Sequence, residues 1–195
     1  MEKLKEIGAK DSKMLAPGKR EKIFPRLKKL ADELIILRIS AKEIDKLRTI
    51  TNLNKLEIER IRGMIKSLEP DLARVDAPEA NVKRFHEKVA KGINKTKIIA
   101  ENFADRKYLE VGAASIIAKV YRDREIKKLH KKYGFFGSGY TSDARTIGFL
   151  KNWLQNNKDF PDIVRKSWIT AMLLKEEKEQ KKIRDFVKVD TEVLP

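Results

Sequence analysis

The stretch from Ala100 to Thr146 constrains this chain more than any other. It opens with an acid, Asp105, just past a short apolar run. A small-residue run follows, Gly112-Ala113-Ala114-Ser115, that lets a helix pack closely against its neighbours. The helical pattern turns strongly basic, stops at Gly134, and gives way to Gly137-Ser138-Gly139-Tyr140. A carboxylate at one end of a positive helix and an aromatic ring in a glycine loop at the other suit a nucleic acid with a metal ion at its backbone.

The charge balance agrees. Lys and Arg number 45 against 29 Asp and Glu, a net charge of +16. Residues 171–195 hold six basic and six acidic residues, so the whole excess lies in positions 1–170. A globular body this positive favours a polyanion; a lysine-rich soluble surface is the alternative. There are no cysteines, which excludes disulfides and thiolate zinc sites. No apolar run reaches the roughly 18 residues of a membrane span, and the N-terminus does not read as a signal peptide. A cytoplasmic protein is expected.

Earlier in the chain, Ile23, Phe24, Leu27 and Leu30 recur at helical spacing. Pro25 is expected to kink or shorten that helix. Leu34-Ile35-Ile36-Leu37-Arg38-Ile39 suits a buried strand. Ser40 with Glu43 signs a capping box for a short helix through about Leu47, and Leu53, Leu56, Ile61 and Ile65 mark another, ending near Leu68. Leu72 to Asp76 reads as a strand stopped by Pro78, Asn81 as the cap of a helix that Gly92 ends, and Lys97 to Ala100 as the next strand. The long helix is placed at about Val111–Lys132. Another is capped by Ser142 or Asp143, and a last one starts near Asp162. This alternation predicts an α/β fold, with acids past strand ends, where such sheets bind ligands.

Asp76 and Asp105 are the candidate catalytic and metal-ligating residues. Two acids in one pocket repel unless a cation sits between them, and Mg²⁺ prefers such oxygens. In phosphodiester hydrolysis, such ions stabilise the attacking and leaving oxygens. The other reading makes each an ordinary turn or cap residue. Tyr140 could stack on a sugar or base, or be pinned to the core. Basic residues of the long helix, among them Arg122, could meet phosphates. His86 and His130 read as surface residues.

Several motifs occur in one order: Asp11-Ser12-Lys13, Val75-Asp76-Ala77-Pro78, Ala104-Asp105 with Lys107-Tyr108, and Ala113-Ala114-Ser115-Ile116-Ile117-Ala118-Lys119. Arg122-Asp123-Arg124, Gly137-Ser138-Gly139-Tyr140 and Val164-Arg165-Lys166-Ser167-Trp168 complete the series. Together they resemble ribonuclease HII of the archaeal type, over roughly residues 8 to 170. The resemblance implies an RNase H-like fold with sheet order 3-2-1-4-5 and endonucleolytic cutting of RNA in RNA–DNA hybrids, including a lone ribonucleotide in duplex DNA. It implies Mg²⁺ or Mn²⁺ held by Asp76 and Asp105, two of the family's four carboxylates. Tyr140 matches the tyrosine that stacks on the sugar at the scissile junction, and Asp11, Ser12, Lys13, Ser115, Lys119, Arg122 and Arg165 fall in the motifs that meet substrate.

The family's Asp-Glu-Ala-Gly-Arg-Gly strand has no counterpart in this sequence. The expectation is therefore a sheet of strands three to five, near Leu34, Val75 and Ile98, without the first two strands and their two carboxylates. Two further readings follow: an impaired or inactive remnant that binds hybrid or duplex, and a gene start placed too late. Residues 1–170 are expected to form the catalytic domain with C-terminal helices, and 171–195 a charged helical tail. In that tail Gln180, Ile183, Phe186 and Val187 are similar to the peptide that docks on sliding clamps. The expected partners are thus hybrid or ribonucleotide-containing duplex and, through the tail, a clamp, with the chain a monomer.

Overall fold

In the computed structural model, Leu72–Asp76 (β1) and Lys97–Glu101 (β2) pair in parallel, from Leu72 opposite Lys97 to Asp76 opposite Glu101. The structure describes residues 2–8 and 15–191, with 182–191 in backbone only. Two compact units divide the chain: Met1–Arg38 with Leu53–Glu125, and Ile39–Asn52 with Ile126–Pro195.

The first unit holds α1 (Glu2–Ile7), α2 (Pro17–Leu30), α4 (Leu53–Leu68), α5 (Val82–Ala90), α6 (Ala104–Lys107) and most of α7 (Leu109–Tyr133). The second holds α3 (Ala41–Arg48), the end of α7, α8 (Ala144–Asn156) and α9 (Ile169–Thr191). Parallel strands need a crossover, and α5 supplies it. Asn81 caps α5, its side chain accepting the Arg84 N–H at 2.9 Å. Phe85 and Val89, four residues apart, are fully buried with Ile58 and Ile65 of α4 and with Ala73 and Ala100 of the strands. Burying each large side chain contributes about 2–3 kcal/mol. A second cluster joins Ile7, Phe24 and Leu27 to Ala113, Ile116, Ile117 and Val120 of α7. Gly112 and Ala113 of the small-residue run are buried, as close packing requires.

Three expectations need correction. The run Leu34–Ile39 is not a strand; Leu34, Ile35 and Leu37 are exposed. A strand needs a ladder partner, and the two-stranded sheet β1-β2 does not include this run. Only Ile36 packs on the α2–α7 cluster, while Arg38 lies 4.9 Å from the Tyr121 ring centroid. Pro25 does not shorten α2, which runs through it to Leu30. The burial of Phe24 and Leu27 on either side outweighs the hydrogen bond that proline removes. The last helix starts at Ile169, not near Asp162.

That later start has an identifiable cause. None of α3's residues is buried, so polar contacts from one side of the helix tie it to the segment before α9. Lys42 pairs with Asp162 at 2.9 Å, and Arg48 donates to the Ser167 carbonyl at 2.7 Å. Between them, Asp45 accepts the Lys166 N–H at 2.8 Å, the Ser167 N–H at 3.0 Å and the Ser167 hydroxyl at 2.6 Å. With those N–H groups taken, the segment turns instead of winding into helix. Burial pushes the Asp45 carboxyl up, but the bonds from Ser167 and Lys166 outweigh it and hold it below the usual range. A carboxylate whose native pKa is depressed stabilises above its unfolded value, near 3.8, and loses that contribution as pH falls through the native value. Asp45→Asn is therefore expected to cost about 1–2 kcal/mol at neutral pH. Urea melts of the two chains should converge as the pH drops below about 4, and a constant gap down to pH 3 would contradict this account.

Candidate active site

At the paired ends of β1 and β2, Asp76 meets the turn that leads into Asp105. Asp76 closes β1, and its Oδ1 accepts the N–H of Ala104 at 2.9 Å, the residue before Asp105. Asp105 sits in the first turn of α6 and is buried, with 6% of its surface exposed. Its Oδ1 is buried and meets no hydrogen-bond donor among the described residues. A buried carboxylate oxygen without a partner is costly and calls for an explanation other than folding.

Asn102 sets the loop between β2 and α6. Its side-chain amide donates to the carbonyls of Ala77, at 2.6 Å, and Glu79, at 3.0 Å. The loops after the two strands are thus stitched together twice, once by Asn102 and once by Asp76. Glu101, opposite Asp76 in the ladder, is committed elsewhere. Lys107 at 2.5 Å and the Tyr108 hydroxyl at 2.7 Å bond it and hold its carboxyl low. Arg74 lies over the Tyr108 ring and pairs with Glu110.

These residues fit a hard divalent cation. Such an ion takes one or two carboxylates and completes its shell with water and phosphate oxygens. Asp76 and the orphaned oxygen of Asp105 would be the donors to such an ion. Among the described residues, no group of three or more His, Cys, Asp or Glu could hold an ion.

Ser115, Lys119 and Arg122 lie in the same unit, half-buried on α7. Their spacing places them along one face of that helix. Asp11, Ser12 and Lys13 lie outside the described residues, as do the side chains of Ile183, Phe186 and Val187; Gln180 is exposed on α9.

Tyr140 and Arg165 belong to the second unit. Tyr140 is 48% exposed, so its loop does not pin it to the core. Sequence reasoning missed what holds that loop. Asp143 caps α8 by accepting the Arg145 N–H, accepts the Ser138 N–H at 2.7 Å, and receives two bonds from the Arg145 guanidinium. Thr146 accepts the Gly139 N–H and donates to the Phe136 carbonyl. His130, read as a surface residue, bonds the Gly137 carbonyl at 2.8 Å and lies against Phe135 and Phe136. A histidine seven residues before a glycine turn gave no signal of this. Arg165 lies 5.5 Å from the Trp168 ring centroid, and Trp168 packs on the core of Leu150, Leu154, Phe160, Val164 and Ala171.

A family model described as ribonuclease HII matches residues 1–171. The chain belongs to the ribonuclease HII family. Ribonuclease HII of Pyrococcus horikoshii is 45% identical over 179 residues, covering 90% of this chain and 80% of that one. The Pyrococcus furiosus enzyme is 44% identical, with 93% and 82% covered. The crystal structure of ribonuclease H2 from P. horikoshii OT3 superposes with a TM-score of 0.82 at 45% identity, over 90% of this chain and 84% of that one. A PCNA:RNase HII complex from Archaeoglobus fulgidus contains a chain that also gives 0.82, at 38% identity, with 89% and 83% covered. The ribonuclease HII fold is thus present here, mostly helical with a two-stranded parallel sheet among the described residues. Ribonuclease HII is an endoribonuclease of RNA–DNA hybrids, generally dependent on divalent metal. No helix among the described residues is long and apolar enough to cross a membrane.

Proposed function

We propose that this chain cuts the RNA strand of RNA–DNA hybrids, and single ribonucleotides in duplex DNA, with Asp76 and Asp105 holding Mg²⁺ or Mn²⁺ at the scissile phosphate. The observation that carries this reading is Asp76 at the end of β1, bonded to the residue before Asp105, whose own buried Oδ1 has no hydrogen-bond partner among the described residues. A divalent ion held by Asp76 and Asp105 would polarise water and offset charge at the leaving 3′-oxygen. The chain's own residues do the rest. Asp76 holds the α6 turn through Ala104 while keeping its second oxygen for the ion. Asn102 fixes the loop so that Asp105 needs little reorganisation. Lys119 and Arg122, with Lys13, meet phosphates; Ser115, Asp11 and Ser12 contribute polar contacts. Tyr140 stacks on the sugar beside the junction, and Arg165, against Trp168, braces the C-terminal helices beside the duplex.

The test is incubation of the chain with a hybrid and with a duplex containing one ribonucleotide, in Mn²⁺ and in Mg²⁺. Cleavage is expected, with affinity falling steeply as salt rises. Tight, salt-sensitive binding without any cleavage would instead establish a hybrid-binding remnant.

The tail supports a second role, docking on a sliding clamp through Gln180, Ile183, Phe186 and Val187. The ribonuclease HII from A. fulgidus was solved with PCNA, and α9 runs through these positions, putting Ile183 and Phe186 one turn apart. Phe186→Ala is expected to weaken clamp capture at least tenfold and to leave hybrid affinity unchanged. Equal capture by both chains would remove the tail from this role.

A further inference from the structure

We infer that Phe103 is a substrate-binding residue whose ring stacks on a base or sugar of the hybrid beside the scissile phosphate. The inference rests on the reading of Asp76 and Asp105 as the reaction centre.

Three observations lead there. Phe103 has φ 57° and ψ 31°, the left-handed region, where a residue with a β-carbon sits at a cost. Strain of this kind persists only where the surroundings impose it, and it gathers at functional sites. The surroundings here do impose it. Asn102 is bonded to Ala77 and Glu79, the Ala104 N–H is held by Asp76, and the Phe103 carbonyl accepts the Arg106 N–H at 3.0 Å. The ring is also 60% exposed, so its apolar area contributes little to the fold. Folding alone favours glycine or asparagine at such a position. The strained backbone and the exposed ring therefore have no stabilising purpose that a smaller residue would not serve better.

The third observation is what surrounds the ring. The Arg106 guanidinium lies 5.1 Å from its centroid, and the peptide that follows it leads into the Asp105 turn. An aromatic face beside a cation, on a rigid loop two residues from a metal-ligating carboxylate, is the combination that grips a nucleic-acid strand at its base and its backbone. Phe103 stands two residues before Asp105, so stacking would fix the strand's register at the reaction centre.

Titrations with a hybrid carrying 2-aminopurine next to the cleaved ribonucleotide, in EDTA so that nothing is cut, test this directly. The parent chain is expected to bind and quench the probe. Phe103→Ala should bind about tenfold more weakly and lose the quench, and Phe103→Trp should retain both. Phe103→Asn serves as the control for folding. Its backbone tolerates the left-handed region, so it should melt at or above the parent temperature yet bind as weakly as the alanine variant. Parent-like affinity and quench in Phe103→Ala would overturn the stacking role alone. A parent chain that binds no hybrid would overturn the nuclease reading, and the stacking role with it.

Discussion

Asp105→Asn is expected to lower cleavage at least about a thousandfold, since even the partners that support a metal's ligands are worth 10–100-fold, while leaving the fold intact or slightly firmer. The two halves of that expectation come from the same atom. Asp105 Oδ1 is buried without a donor, so in the protein alone its charge is a cost. An amide of the same shape removes the charge and relieves up to about 1 kcal/mol. With metal and substrate present, the same change would remove the proposed anionic ligand. Asp76 should behave differently, because its Oδ1 has structural work at the Ala104 N–H. Asp76→Asn keeps that acceptor and should lose activity without losing stability. Asp76→Ala loses both, with a stability cost of about 1–2 kcal/mol. Thermal melts and single-turnover cleavage of the three variants give a pattern that ordinary turn residues cannot produce. If Asp105→Asn cuts at the parent rate, the metal assignment is wrong.

The sequence told some of this and concealed the rest for definable reasons. Local rules worked where the decisive contact is local. Ser40 and Glu43 form the complete capping box, Asn81 caps α5, and α4 ends at Leu68. The parallel pairing of β1 and β2 was also legible, because two strands joined by one helix bring their far ends to the same edge. Long-range contacts were not legible. Nothing near Lys166 announces that Asp45, more than a hundred positions earlier, removes its N–H from the start of α9. Leu34–Ile39 has the letters of a strand, but an apolar run cannot carry its own ladder partner. Phe103 shows a third kind of miss. A phenylalanine in αL defies propensity, so no local rule points to the left-handed turn that opens α6.

The loop that carries Tyr140 gives the second large effect, through a residue with no side chain. Gly137→Ala is expected to cost about 3 kcal/mol, or about 6–12 °C in melting temperature for a chain of this size. Gly137 has φ +76°, and a β-carbon there would lie 2.6 Å from Asp143 Oδ2 and 2.9 Å from the Arg145 β-carbon. Neither neighbour yields cheaply. The Asp143 carboxylate is fixed by Arg145 and by the Ser138 N–H, bonds that hold its pKa well below the ordinary value. The Arg145 β-carbon is part of the first turn of α8. Moving Asp143 aside frees the Ser138 N–H and uncaps the helix, so the strain and the lost bonds should not add independently. In an Asp143→Ala background the glycine substitution should therefore cost measurably less, leaving a coupling of about 1 kcal/mol in the double-mutant cycle. Because Tyr140 stands three residues further on, cleavage should fall along with stability, and more steeply than in a variant equally destabilised in the α8–α9 core, such as Leu154→Ala. Melting within a degree of the parent would mean that the loop does not depend on its left-handed glycine, and the account of how Tyr140 is presented would fail with it.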